Sequence, residues 1–175
     1  SVVAVAQLSA ALLLLGFFAV HGHDRAKVWT SSTALFLDGA INYPDGIDGN
    51  ILRALRAVGQ GRDQVFIANI LKCRPPNNRD PRPEEAAACH PWLQQQIELI
   101  QPGVILALGR IAAHKMLNTD QSLGALRGKQ YNYAGIRLIV SYHPAYLLRK
   151  PVDKRKSWQD LKRVKILLNS HGSSN

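Results

Sequence analysis

Short apolar runs alternate along this chain with stretches whose apolar residues recur every three or four positions. GlyValIleLeuAlaLeu (103–108) is continuously apolar, as a strand covered on both faces is. GlnValPheIleAlaAsnIle (64–70) and IleArgLeuIleValSer (136–141) are further short β-rich runs. Between them the period lengthens. Residues 48–58 place Ile51, Leu52, Leu55 and Val58 on one face of a predicted helix, which GlnGlyArgAsp (60–63) ends. Residues 83–100 place Trp92, Leu93, Ile97 and Ile100 at helical spacing. Further helices are predicted at 110–117, directly after Gly109, and at about 152–168. Residues 34–43 open on the apolar run AlaLeuPheLeu and pass into a turn-rich loop. Strands alternating with helices predict a three-layer α/β/α sandwich around a mainly parallel sheet.

Residues 2–20 break this rhythm. They are almost wholly apolar, with Gln7 and Ser9 the polar interruptions. That length approaches a membrane span. A signal-like segment and a buried strand and helix at the domain edge are the other readings. The chain divides into this segment within 1–30, an α/β domain over 31–170 and a flexible tail over 171–175. Its first residue is Ser, which suggests a trimmed or incomplete chain.

With 175 residues, one domain with a real core is expected. Lys and Arg number 22 against 12 Asp and Glu, a net charge of +10. Eight of the basic residues fall between Arg149 and Lys165. This balance suits a polyanion such as nucleic acid, although a solvated helix face produces the same count.

The chemistry concentrates between residues 68 and 91. Both cysteines, Cys73 and Cys89, lie there, separated by a loop dense in Pro, Arg and Asn. Thiols at a strand end and a helix start suit a soft metal or a cluster better than a packing role. Two cysteines are too few for a disulfide framework, and the setting points to a reducing, cytoplasmic compartment. Asn69 and His143 each follow a predicted strand. In parallel sheets that is the edge where ligands bind, so both are candidates for one crevice.

Several ordered motifs resemble one family. AsnIleLeuLysCysArgProProAsnAsnArg (69–79) is similar to the signature of the family 4 uracil-DNA glycosylases, the iron–sulfur branch of their superfamily. GlnProGlyValIleLeuAlaLeuGlyArgIleAlaAla (101–113), LeuArgGly (126–128), SerTyrHisProAlaTyrLeuLeuArg (141–149) and LysSerTrpGlnAspLeu (156–161) continue the match at consistent spacing. The resemblance implies excision of uracil from DNA in base-excision repair. Asn69 would read the uracil edge, and His143 would donate to a uracil carbonyl as charge develops there. Tyr43 falls at the position of the family's stacking Phe. Pro144 would fix the loop, with Ala145 and Tyr146 approaching the DNA strand. Arg74, Arg79, Arg127, Arg149 and Lys150 are candidate phosphate contacts.

The sequence departs from the family before about residue 45. The family's GlyGluAlaProGly loop is replaced by PheLeuAspGlyAlaIleAsnTyrPro (36–44), where Asp38 is the first acid able to position water and Asp45 the second. The family implies a 4Fe-4S cluster on four cysteines, of which Cys73 and Cys89 are two. The N-terminal third therefore reads as divergent or replaced. The alternative function is a non-catalytic replication accessory module resembling the clamp-loader psi subunit. A third is a form tethered to a membrane through 2–20.

Overall fold

The computed structural model describes residues 34–38, 55–56, 58–73 and 75–172. Five strands form one sheet: β1 (Ala34–Asp38), β2 (Val65–Asn69), β3 (Val104–Leu108), β4 (Gln130–Tyr133) and β5 (Ile136–Ser141). Their order is β2-β1-β3-β5-β4. The first four in that order run parallel, and β4 joins the edge antiparallel to β5.

β3 explains why its sequence is unbroken. All five of its residues are buried. Val104, Leu106 and Leu108 enter one core with Leu55, Val58, Val65, Ile139, Leu161, Val164 and Leu168. Ile105 and Ala107 enter the opposite core with Ala68, Leu93, Ile97, Ala112, Ala113, Met116, Leu138 and Val140. Alternate side chains thus leave the pleat toward different helices.

Three helices cover that second face: α1 (Pro83–Ile100), α2 (Gly109–Leu117) and the short α3 (Leu123–Leu126). α1 begins on Pro83, whose missing N–H is no loss at that position, and carries Glu84 and Glu85 in its first turn. It ends at Gln101 in the left-handed region. The other face is covered by α5 (Lys154–Gly172), through a stripe of Leu161, Val164 and Leu168. Between β5 and α5 lies α4 (Pro144–Arg149). The three-layer sandwich with a mainly parallel sheet is therefore the observed architecture.

Some expectations need correction. The run 34–43 contains a strand, and that strand is central, paired on both sides. β4 was not expected: GlnTyrAsnTyr is polar because an edge strand buries only alternate residues. Trp92 does not join the buried stripe of α1 and is 63% exposed. Leu93, Ile97 and Ile100 already face the sheet, and a residue one position before Leu93 is rotated about 100° away. The predicted helix at 48–58 lies largely outside the described residues, but Leu55 and Val58 are buried in the core as its pattern requires. Among the described residues no helix is long and apolar enough to cross a membrane. Residues 2–20 lie outside them.

Candidate active site

The strand order creates a crevice at a definite place. From β1 the chain moves to β2 on one side, then crosses to β3 on the other. Adjacent strands whose connections diverge in this way leave a gap at their carboxyl ends, where ligands bind. One register row marks that edge: Asn69, Asp38, Leu108 and Ser141 lie side by side across β2, β1, β3 and β5. The row spans three strand spacings, about 14 Å. Asn69 is exposed at one end of it.

His143 stands two residues beyond Ser141, at the other end. It leans back over β3. Gly109 has φ +84°, and a Cβ built there would come 3.0 Å from the His143 Cβ. The sharp turn from β3 into α2 therefore needs glycine twice, for its backbone angle and for the room it leaves the imidazole.

His143 also caps α4. Its Nδ1 accepts the Ala145 N–H at 3.1 Å. In the neutral ring an accepting Nδ1 leaves the proton on Nε2. Pro144, as the first residue of α4, fixes the backbone in the helical region without giving up a needed donor.

Beneath this loop is a network that sequence reasoning missed. The Arg127 guanidinium donates to Asp160 Oδ2 through Nε at 2.8 Å and Nη2 at 2.6 Å. Ser141 Oγ donates to the same oxygen at 2.8 Å and lies 3.0 Å from Ser157 Oγ. Burial pushes the Asp160 carboxyl above its ordinary range, opposed by the bonds from Arg127 and Ser141. The guanidinium lies 4.3 Å from the centre of the Tyr142 ring. Tyr142 stacks on Tyr146 at 4.9 Å, and Tyr146 donates to Asp153 at 2.7 Å. Lys156 and the Tyr146 hydroxyl hold the Asp153 carboxyl below its usual range. The sequence signal was present in two buried-stripe positions of α5 that are polar, Ser157 and Asp160.

The cysteines lie on the β2 side. Cys73 is exposed and Cys89 half-buried on α1, and both line one shallow pocket with Lys72, Trp92 and Leu99. The backbone N–H of Lys72 donates to Cys89 Sγ at 3.3 Å, and its ammonium donates to the Asn69 carbonyl at 2.9 Å and to Gln96. Burial lowers the Lys72 pKa, against the pull of Cys89. Two thiols on one pocket, one already accepting a backbone N–H, have the donor chemistry of a cluster edge. They do not complete a set of four: these 175 residues hold two cysteines, and among the described residues no group of three or more His, Cys, Asp or Glu is placed to hold a metal.

The remaining candidates are dispersed. Arg79 pairs with Glu85, and Asp80 with Arg110 at the start of α2, so the loop after Cys73 is tied to two helix starts. Arg149 and Lys150 are exposed at the end of α4, and Ala145 is half-buried in its first turn. Arg127 faces inward, its side chain 10% exposed. Tyr43 and Arg74 lie outside the described residues.

The sequence profile of the uracil DNA glycosylase superfamily matches residues 8–162. The chain belongs to that superfamily. Members similar to it include a Type-4 uracil-DNA glycosylase of Saccharolobus solfataricus, 42% identical over 71% of this chain and 62% of that protein. A Type-4 uracil-DNA glycosylase of Pyrobaculum aerophilum is 43% identical over 66% of this chain and 64% of that protein. A Type-5 uracil-DNA glycosylase of the same organism is 33% identical over 80% of this chain and 63% of that protein. The chain thus spans less than two thirds of the length of these curated relatives. Within the superfamily domain, Asn69 and His143 occupy opposite ends of the crevice row.

Proposed function

We propose that the chain is a uracil-DNA glycosylase, hydrolysing the N-glycosidic bond of deoxyuridine in DNA as a step of base-excision repair. The observation that carries this reading is the His143 tautomer: its Nδ1 bond to the Ala145 N–H leaves Nε2–H as the donor at the crevice end of β5. When the C1′–N1 bond breaks, its electron pair leaves with the uracil, and negative charge spreads to the carbonyl oxygens. A preset N–H donor at that oxygen stabilises the charge where it develops. Water then adds to C1′ of the oxocarbenium-like sugar and loses its proton.

Asn69 is assigned to the uracil edge. Its amide offers one acceptor and one donor, matching uracil N3–H and O4. Cytosine presents the reverse pattern. Asp38, in register with Asn69 at the end of β1, is the acid assigned to the water. Tyr43 is assigned to stacking on the flipped base, and Ala145, Arg149, Lys150, Arg79 and Arg74 to the DNA strand. Cys73 and Cys89 are assigned as the two positions that match cluster ligands of the family; with two cysteines, these 175 residues do not fit a four-thiolate cluster by themselves. No step of the excision runs through it. Superfamily membership supports this reading over a replication accessory module.

The test is release of uracil from a single-stranded oligonucleotide carrying one uracil, by folded chain. Loss of one such donor costs about 10²–10³ in rate, so His143→Ala should release uracil slower by that factor. Release unaffected by His143→Ala would overturn the assignment, and no release from folded protein would overturn the activity.

A further inference from the structure

Taking the glycosylase reading of this crevice as its basis, we propose that Arg127 and Asp160 are positioning residues, a buried strut that acts through Tyr142 and Ser141 to hold His143. Arg127 is thereby removed from the DNA contacts.

The placement argues for it. Side-chain exposure is 10% for Arg127 and 1% for Asp160, so the guanidinium turns away from any bound strand. Both of its bonds to Asp160 fall on one oxygen, which also accepts from Ser141, the last residue of β5. The face of the guanidinium is spent on Tyr142, next in sequence. Tyr142 also stacks on Tyr146, itself anchored to Asp153. Ser141, Tyr142 and Tyr146 are therefore each fixed, and His143 lies among them on a segment held at both ends. Gly109 limits the same residue from the β3 side.

A buried ion pair is seldom the most stabilising way to fill such space, since apolar residues of similar volume often do as well or better. What it supplies here is direction. A planar guanidinium bonds a carboxylate along its edge and covers an aromatic ring with its face at once, which lysine cannot do. The strut sets the height and tilt of Tyr142, and so the aim of His143 Nε2. A misplacement near 1 Å in such a group costs about 10²-fold in rate.

The experiment compares Arg127→Met, Arg127→Lys and Tyr142→Leu with the parent chain. Three quantities are measured: single-turnover uracil release, the salt dependence of binding to single-stranded DNA, and the ring ¹⁵N resonances of His143. Tyr142→Leu leaves the ion pair intact, so it decides the matter if Arg127→Met fails to fold. The expected result is release slowed about 10²-fold in Arg127→Met and Tyr142→Leu, with DNA affinity and salt slope unchanged. The two His143 ring resonances, distinct in the parent, should converge as the Ala145 bond loosens. Arg127→Lys should recover only part of the rate. A lost phosphate contact would instead reduce the salt slope on single-stranded DNA by about 0.7 and leave the His143 resonances in place, and that result overturns the proposal. So do parent-like resonances in both folded variants. If the parent releases no uracil while the resonances still move, the glycosylase reading fails and the strut stands.

Discussion

Glycine at position 109 and histidine at position 143 constrain one another closely at the crevice. Position 109 combines a left-handed backbone angle with the imidazole's Cβ only 3.0 Å from where a side chain would begin. Gly109→Ala carries two costs. The left-handed angle costs roughly 1–2 kcal/mol, and the methyl must push His143 or shift the turn. Uracil release should therefore fall further than the loss of stability explains. Thermal unfolding and single-turnover release on the same samples check this; a variant with lowered stability but full release would show that the approach is harmless.

Among single residues, Asn69 and His143 stand out in the sequence because one closes and the other follows a β-rich run and because their motifs resemble a known family. Arg127 was read as a phosphate contact because a loop arginine beside glycine carries no sign of what lies below it. Its partner Asp160 is 33 positions away and within hydrogen-bonding distance only through the packing of α5 on the sheet.

Elements were legible in proportion to how apolar they are. β3 is buried on both faces and α1 has a clean stripe, and both were found nearly residue for residue. β4, α3 and α4 were not, because four to six residues with alternating or sparse burial leave no period to detect. The β4–β5 hairpin also carries an uncorrected strain. Its turn has positive φ at both Ala134 (φ 50°) and Gly135 (φ 84°), while Asn132 Oδ1 accepts the Gly135 N–H. Two-residue hairpins of this kind favour Asn-Gly, since asparagine tolerates the left-handed region and alanine does not. Ala134→Asn should stabilise the protein by roughly 1 kcal/mol, seen as a Tm higher by about 2–4 °C. A lowered Tm would mean the alanine methyl packs usefully.

At the start of α1, the Arg79 guanidinium and the Arg82 N–H hold the Glu85 carboxyl down to about 2. A depressed carboxylate stabilises above the pKa it has in the unfolded chain, and that contribution is lost as pH falls toward the folded value. Acidification from pH 5 toward 2 should therefore release the 79–85 loop. Glu85→Gln should release it already at neutral pH. Amide hydrogen exchange across the loop tests both, and protection equal to the parent's in Glu85→Gln would dismiss the tether.

For the whole molecule, the excess of positive charge is the property that sequence conveys best and structure refines. Of the basic candidates, Arg79 and Arg127 are paired with carboxylates, whereas Arg149 and Lys150 are exposed beside the His143 helix. If those two meet phosphates, each carries a share of counterion release. Replacing both with Ala should reduce the log–log salt slope on single-stranded DNA by about 1.4, or 0.7 for each. Binding measured between low and moderate salt tests this, and an unchanged slope would place the strand elsewhere.

β1 is flanked by both of its partners, so among the described strands it makes the hydrogen-bonded link between β2 and the β3–β5–β4 side of the sheet. The residue assigned to reading the base and the residue assigned to relieving its charge thus stand on opposite sides of one five-residue seam in the sheet. Local opening of that seam separates recognition from bond cleavage in a single event, so the backbone amides of Asn69 and of the His143 loop should exchange with solvent as one cooperative unit.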